Sequence, residues 1–178
     1  MKPEIFLRGV HLFQSLNPHD SEHLAASLKH RSLKKGEALF RKGDEGTSLY
    51  IVKSGSVKIV LPSDMGDEVT PAILSEGDVF GEMALLDGMP RSADVVALES
   101  SELLALNQKD FLAFLKGNET AIQSILSFLS MQLRKTDDLL EDAHFLNIST
   151  RLARRLVELS KKYGHQKEEG GLSRLTCA

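Results

Sequence analysis

Short runs of apolar and β-branched residues, separated by glycine-containing turns, occupy the chain from Ser32 to about Asn107. The runs are EALF, SLYIVK, SVKIVL, VTPAIL, ADVVAL and ELLAL. Several short strands with turn signals at close, regular spacing predict an antiparallel β-sandwich or β-roll. The middle of the chain is therefore expected to be a β domain.

Two details of this β-rich region give finer predictions. The turn KSGS at 53–56 separates two strong strand runs, which predicts a hairpin between them. In the second of these runs, Val57, Ile59 and Leu61 occupy alternate positions, so one face of that strand is expected to point inwards.

A helical lead-in precedes the β-rich region. Asn17 is a predicted N-cap and is followed by Pro18, a residue that is favoured at the first helical position. Leu24 and Leu28 form an apolar pair at i, i+4, and the helix is expected to end near His30.

The block from Lys109 to Ala143 carries the clearest helical periodicity. Apolar positions fall at alternating steps of four and three, which is a heptad seam through three repeats. The seam residues are Ile122, Leu126, Leu129, Leu133, Thr136, Leu140 and Ala143. The pattern predicts a coiled-coil homodimer through the helix that contains Leu126, Leu129 and Leu133. The alternative is that this helix packs on its own β domain.

The segment STRLARRLVELSKKYG restarts the helical pattern after Asn147. Ser149 or Thr150 is the candidate N-cap, and leucines at helical spacing form an apolar stripe. Arginine and lysine outnumber Glu158, so the helix is locally basic. Charged helix faces are mostly solvated surface, and this pattern alone is a weak indication of nucleic-acid binding.

Composition excludes several classes of protein. The chain has 178 residues and a formal net charge of -3, which gives no global attraction to nucleic acid or membranes. It has no apolar run of eighteen residues and no signal-peptide pattern, so we expect a cytoplasmic protein with no membrane partner. Cys177 is the single cysteine, which excludes an internal disulfide and a cysteine-ligated iron–sulfur cluster.

The most informative stretch is VFGEMALLDGMPRSADV, from Val79 to Val95. Gly81 opens a short helical turn and allows close approach to backbone N–H groups, a setting that favours phosphate. Arg91 can pair with phosphate through its planar fork, and Ser92 adds a hydroxyl. Glu82 only accepts hydrogen bonds, so its natural partner is a hydroxyl such as a ribose 2′-OH. The alternative is a salt bridge between Glu82 and Arg91 that closes a loop without any ligand.

No enzyme or metal site is expected from the sequence. His19 and His23 have the i, i+4 spacing of a helical metal pair, but such a pair on the lead-in helix without a third ligand does not predict a metal site. A metal-dependent cupin would need clustered ligands on strands, and no nucleophile–base pair stands out. We therefore predict no metal and no catalysis.

The segment GDVFGEMALLDGMPRSADVVA closely resembles the phosphate-binding cassette of cyclic nucleotide-binding domains. The order of elements resembles the catabolite activator/fumarate-nitrate regulator family of bacterial transcription factors, and KKGEALFRKGDEGTSLYIVKSGSVKIV is similar to the first half of their β-roll. The resemblance implies an α+β fold with a jelly-roll-like antiparallel β-roll and flanking helices. It assigns 1–108 to the ligand-binding domain, 109–146 to a dimerisation helix and 147–178 to the start of a DNA-binding domain.

The resemblance also implies roles for individual residues of the cassette. Gly81 and Ser92 would contact the cyclic phosphate, Arg91 would neutralise it and Glu82 would hold the ribose 2′-OH. Met83, which follows Glu82 in the cassette, is included among the ligand-binding residues.

Thr136 matches the first hydroxyl of a Thr-Ser pair that contacts the base in cyclic-AMP-responsive members of the family. Asp137 departs from that pair, which leaves the base open between cyclic AMP and cyclic GMP, with cyclic AMP preferred.

A second departure concerns DNA, because the sequence stops at GGLSRLTCA, about where the family's helix-turn-helix begins. We therefore expect a truncated chain that does not read DNA competently, with DNA as a partner of the full-length protein. The ligand would bias the orientation of the dimer helices and the attached DNA-binding domains. Two alternatives are the same fold sensing another effector, such as haem, and a ligand-free dimerisation scaffold.

Overall fold

The structure is a computed structural model that describes residues 3–14, 16–63, 67–116 and 118–163. The helices are α1 (Pro3–Gly9), α2 (Pro18–Ala26), α3 (Glu82–Asp87), α4 (Gln108–Lys116), α5 (Glu119–Phe145) and α6 (Ile148–Tyr163). The strands are β1 (Lys29–Leu33), β2 (Ala38–Phe40), β3 (Ser48–Ser54), β4 (Val57–Pro62), β5 (Glu68–Leu74), β6 (Val79–Phe80), β7 (Asp94–Ala97) and β8 (Ser101–Asn107).

The strands form two antiparallel sheets in the described part of the chain. One has the order β1-β8-β3-β6 and the other β2-β7-β4-β5. Their inner faces share one apolar core, to which both sheets contribute. Its buried members are Leu33, Val52, Val57, Phe80, Val95, Ala97 and Leu103. The expected α+β fold with an antiparallel β-roll and flanking helices is confirmed.

The predicted hairpin at 53–56 is wrong. β3 pairs with β8 and β6, whereas β4 pairs with β5 and β7, so this turn carries the chain from one sheet to the other. A turn sequence indicates where the chain reverses, but the partner of each strand is decided by long-range packing. The hairpin in this region joins β4 to β5 instead.

The expected alternation in β4 is also interrupted. The register against β5 shifts between Ile59 and Leu61, as in a β-bulge. Val57 and Val60 are buried, whereas Leu61 is 41% exposed. One extra residue in a strand moves the following side chains to the opposite face, which explains why the period-two prediction fails after Ile59.

The lead-in helix begins as expected and ends early. Asn17 caps α2, since its Oδ1 accepts a hydrogen bond of 2.9 Å from the backbone N–H of Asp20. The helix ends at Ala26 rather than near His30, and Lys29–Leu33 pairs with β8. Only the last of these five residues is buried, so the apolar pattern gave no strand signal; pairing with β8 decides the conformation.

The helical block after the β-roll consists of two helices, α4 and α5. Asn118 caps the second, because its Oδ1 accepts a 3.0 Å hydrogen bond from the N–H of Ala121. Gly-Asn in the sequence at 117–118 is a helix stop followed by a cap, a signal that the seam pattern had obscured.

Helix α5 has two different apolar faces. Ala121, Ile125 and Phe128 are buried within the chain. The seam residues Ile122 and Leu133 are 44% and 63% exposed. Helix α5 therefore has one apolar face that packs within the chain and a second, exposed apolar face that is available to contact a partner helix.

The chain divides into two compact units, Met1–Phe128 and Leu129–Ala178. In the second unit, α6 is capped by Asn147 rather than by Ser149 or Thr150. The Oδ1 atom of Asn147 accepts hydrogen bonds from the backbone N–H and the hydroxyl of Thr150, at 2.9 and 3.0 Å. Arg154 of α6 is ion-paired with Asp142 of α5, which offsets part of the helix's positive charge. No helix within the described ranges is long and apolar enough to cross a bilayer.

Candidate functional site

The centre of the candidate site is the turn between β6 and α3. Gly81 is the N-terminal cap of α3, with φ 78° and ψ 11°, a left-handed conformation that glycine adopts without steric cost. A Cβ atom at Gly81 would lie 2.6 Å from Nη1 of Arg91. Glycine is therefore required here both by the backbone and by the approach of the arginine.

Arg91 is the most unusual residue of this turn, because its guanidinium group is buried. The residue is only 5% exposed. Nη1 donates a 2.8 Å hydrogen bond to the carbonyl oxygen of Gly81, and Nη2 donates one of 2.7 Å to that of Ser48. Nε is also buried, yet it has no hydrogen-bond partner among the described residues. Buried polar groups are nearly always paired, so this donor calls for an explanation.

An aromatic ring lies against the guanidinium of Arg91. Its Cζ atom is 4.2 Å from the centroid of the Phe40 ring and 5.7 Å from that of Tyr50. Phe40 is in turn part of a three-ring cluster with Tyr50 and Phe80, at centroid distances of 5.9 and 6.3 Å. The positive charge of Arg91 therefore lies against the π face of Phe40, a ring that is itself packed against two other aromatic rings.

The backbone of Arg91 is held as firmly as its side chain. Its N–H donates to the carbonyl oxygen of Asp44, and its carbonyl oxygen accepts from the N–H of Gly43, both at 2.8 Å. The carboxylate of Asp94 is buried and accepts hydrogen bonds from the N–H of Lys42 at 2.7 Å and from Nη1 of Arg41 at 3.0 Å. The loop before β3 is thus fastened to the segment that carries Arg91.

Glu82 is buried in the first turn of α3. Burial raises the pKa of its carboxyl group above the ordinary value, against the opposing effects of its own backbone N–H and the charge of Arg91. Burial also lowers the pKa of Arg91, against the opposing effects of Tyr50, Glu82 and Asp44. The hydrogen bonds of the Arg91 guanidinium go to carbonyl oxygens, so the geometry does not support the alternative in which Glu82 and Arg91 pair only with each other.

The remaining cassette residues lie nearer the surface. Ser92 is exposed, and its Oγ is 3.8 Å from the sulfur of Met83, which is itself 52% exposed. The structure therefore brings Met83 and Ser92 together beside the Gly81 turn. Thr136 lies in the other compact unit, where its hydroxyl donates a 3.0 Å hydrogen bond to the carbonyl oxygen of Gln132. Its contact with a base stays a prediction.

Sequence reasoning missed three contributors to the site. The sequence pattern places Phe40 only in a strand, and Asp94 is an acid within the apolar run ADVVAL. Gly46 was also overlooked, although a Cβ atom there would lie 2.3 Å from Cβ of Ala84 and 3.0 Å from Nε of Arg91. A lone acid in a buried strand is a usable signal; the other two contacts depend on chain segments that are far apart in sequence.

The candidate metal pair on α2 gathers no further ligands in the described part of the chain. Nδ1 of His19 is 3.6 Å from Oδ1 of Asp20, and the His19 side chain is 90% exposed. Among the described residues, no three histidine, cysteine, aspartate or glutamate side chains form a group that could hold a metal ion.

Comparison with known proteins gives a consistent result. Residues 30–118 match the family model of the cyclic nucleotide-binding domain. The chain is 35% identical over 156 residues to the cyclic AMP receptor protein of Thermus thermophilus, covering 88% of this chain and 72% of that protein.

Two solved structures extend the similarity to the fold. The catabolite activator protein of T. thermophilus superposes with a TM-score of 0.70 at 35% identity, covering 85% of this chain and 71% of that chain. CLP of Xanthomonas campestris, a c-di-GMP responsive global regulator, gives 0.71 at 27% identity, covering 82% and 73%. The chain therefore belongs to the cyclic nucleotide-binding domain family, and its relatives include cyclic AMP receptor-like transcription regulators.

Proposed function

We propose that this chain is the ligand-binding regulatory module of a transcription regulator and that it binds a cyclic nucleotide through Arg91. The observation that carries the proposal is the buried Nε–H of Arg91, which has no partner in the described structure. A phosphate oxygen would satisfy this donor with a charge-assisted hydrogen bond and neutralise the buried positive charge at the same time.

The other cassette residues complete a site for a cyclic phosphate joined to a ribose. Gly81 has no side chain to keep a ligand from the backbone, and Ser92 supplies an exposed hydroxyl donor. Met83 flanks Ser92 and would contact the ligand from the side of α3. Glu82 supplies an acceptor for the ribose 2′-OH once its carboxyl group is ionised.

Cyclic AMP is the preferred effector over cyclic GMP. The relative from T. thermophilus is named as a cyclic AMP receptor protein, which supports this order. Thr136 is the residue proposed to face the base, with Asp137 as the acceptor for an exocyclic amine. The similarity to a c-di-GMP responsive regulator makes that dinucleotide a useful third ligand in any test.

The homodimer is proposed to form through the seam on α5. Leu133 and Leu140, which lie two helical turns apart on this seam, are 63% and 55% exposed. Burying such leucines in a coiled coil removes apolar surface from water and gives each helix its partner.

The domain assignment follows from these roles. Residues 1–108 bind the ligand, 109–146 dimerise, and 147–178 lead towards a DNA-binding domain in a longer protein. Ligand binding would shift the population of dimer arrangements, and so the spacing of the attached DNA-binding domains. We propose a cytoplasmic, non-catalytic regulator without a resident metal.

Isothermal titration calorimetry with cyclic AMP, cyclic GMP and c-di-GMP tests the proposal. The wild-type chain should bind a cyclic mononucleotide saturably, whereas Arg91→Ala should abolish binding and leave the dimer intact. Arg91→Lys, which keeps the charge but loses the planar fork, should bind more weakly than wild type.

Arg31→Ala is the matched control, because it removes an exposed arginine from the same unit, 3.6 Å from Glu37. It should bind like wild type. The proposal fails if folded wild-type protein, shown free of co-purified nucleotide, binds neither cyclic mononucleotide, or if Arg91→Ala binds as well as wild type.

A further inference from the structure

We infer that the ring of Phe40 sets the phosphate affinity of this site by holding the Arg91 guanidinium through a cation–π contact. Phe40 is thus a positioning residue that acts on the ligand through Arg91. The inference rests on the proposed function, because it concerns the same phosphate site.

The geometry of the contact supports a specific role for the ring. The Cζ atom of Arg91 lies 4.2 Å from the Phe40 centroid, well inside the range of about 6 Å over which an aromatic face attracts a cation. Tyr50 is farther away, at 5.7 Å. Phe40 is therefore the aromatic residue with the closer hold on the charge.

Burial strengthens the attraction between the Arg91 guanidinium and the Phe40 ring. Arg91 has lost nearly all contact with water, at 5% exposure, and within the described ranges its terminal nitrogens donate hydrogen bonds to two carbonyl oxygens. Cation–π attraction is stronger at desolvated sites than at exposed ones. An aliphatic side chain at position 40 could fill the same space but would offer no negative face to the guanidinium.

The ring also restricts the direction of the unpaired donor. The hydrogen bonds to Gly81 and Ser48 fix the positions of Nη1 and Nη2. They do not by themselves prevent the guanidinium plane from tilting about the line that joins these two atoms. The face of Phe40 opposes that rotation, and the ring is itself supported by Tyr50 and Phe80. The Nε–H is therefore directed before the ligand arrives, which lowers the cost of ordering on binding.

Substitution of the ring gives the first test. Phe40→Leu should weaken cyclic AMP and cyclic GMP by the same factor, about tenfold, because the phosphate is common to both ligands. Phe13→Leu is the matched control: it removes a buried phenylalanine ring from the same unit, outside the cluster of Phe40, Tyr50 and Phe80. Its affinity should stay within about twofold of wild type, with folding checked by thermal unfolding.

Fluorinated phenylalanines at position 40 give the decisive test, since fluorine weakens the negative face of the ring while nearly preserving its shape. Cyclic AMP affinity should fall stepwise from phenylalanine to the monofluoro, difluoro and trifluoro residues. This series remains informative even if Phe40→Leu does not fold.

The outcomes separate the two proposals. Arg91-dependent binding by wild type with a flat fluorine series would overturn the role of Phe40 and leave the cyclic nucleotide site standing. Failure of wild-type protein to bind any cyclic mononucleotide would overturn both. A stepwise fall in which cyclic AMP and cyclic GMP weaken together would establish the ring as a positioning element of the phosphate site.

Discussion

Arg91 and Leu133 illustrate a difference between the two compact units. Each lies in an environment that is unfavourable for its side chain: Arg91 is a buried charge and Leu133 is an exposed apolar residue. Arg91, in the first unit, is a charge with 5% exposure, surrounded by carbonyl oxygens and an aromatic ring. Leu133, in the second, is an apolar side chain with 63% exposure. The first unit therefore encloses a charged, hydrogen-bonded side chain, whereas the second unit has apolar side chains on its surface.

This contrast is the basis of the proposed division between ligand recognition and assembly. The buried arginine is positioned by contacts within one unit, so the position of this side chain in the proposed phosphate site does not depend on a partner. The exposed seam contributes to stability only when a second helix buries its apolar side chains. Substitutions in each unit and a pH titration test this division.

The largest effect is expected when the exposed seam is charged. Leu129→Lys places like charges in an apolar dimer seam, which should weaken the dimer on the order of a thousandfold. Analytical ultracentrifugation measures the change, with Ser127→Lys as a control at an exposed position of α5 outside the seam. An unchanged sedimentation mass for Leu129→Lys would refute the coiled-coil dimer.

A smaller effect is expected from a methyl group at the phosphate site. Gly81→Ala places Cβ 2.6 Å from Nη1 of Arg91 and should reduce cyclic AMP affinity about a hundredfold. Gly77→Ala is a close control, because Gly77 also has a positive φ, of 86°, but no described atom lies within 4 Å of its Cβ position. Both variants should lose about 1 kcal/mol of folding stability from the left-handed backbone. Gly81→Ala should lose more, because its methyl group displaces the buried Arg91, and only this variant should lose affinity. Equal affinities would contradict the close contact.

The loop that anchors Arg91 gives a third, weaker test. Asp94→Asn replaces a buried carboxylate that accepts from the N–H of Lys42 and from Arg41. We expect a loss of about 2 kcal/mol in the free energy of unfolding and about fivefold weaker binding of cyclic AMP. Asp67→Asn, at an exposed position, should change neither quantity. Urea unfolding and calorimetry measure both, and an unaltered affinity for Asp94→Asn would separate the loop from the site.

The smallest effect is a pH dependence from Glu82. Because burial raises the pKa of its carboxyl group in the folded protein, the neutral form stabilises the fold below about pH 4.5, and this contribution is lost as pH rises through the raised pKa. Ligand affinity should change in the opposite direction, rising as the carboxylate forms.

Glu82→Gln should remove both slopes. Urea unfolding of the ligand-free protein and calorimetric titration, each as a function of pH, measure them. Parallel pH profiles for the wild-type and Glu82→Gln proteins would show that this carboxyl group is not the titrating acceptor.

The candidate cassette could be located from the sequence because its residues are local. Gly81, Glu82, Arg91 and Ser92 lie within one turn and return, and the structure brings Arg91 against Gly81 and Ser92 beside Met83. Their role in binding phosphate stays a prediction. Most strands were also predicted, since their apolar runs are continuous in the sequence.

The sequence did not predict features that depend on distant partners. The strand Lys29–Leu33 forms because β8 pairs with it, and the contact of Phe40 with Arg91 joins two segments about fifty residues apart in the chain. Pairing and stacking of this kind are decided by tertiary packing, which overrides local pattern. The Gly46 contact was missed for the same reason.

The Nε–H of Arg91 offers the most direct test of the central claim, that this buried donor binds the phosphate of a cyclic nucleotide. Its resonance can be followed by ¹H–¹⁵N NMR during a titration with cyclic AMP and assigned by its disappearance in Arg91→Lys. The account predicts a large downfield proton shift that saturates with the ligand, as the donor gains a charged acceptor. A resonance that stays in place at saturating cyclic AMP would contradict it.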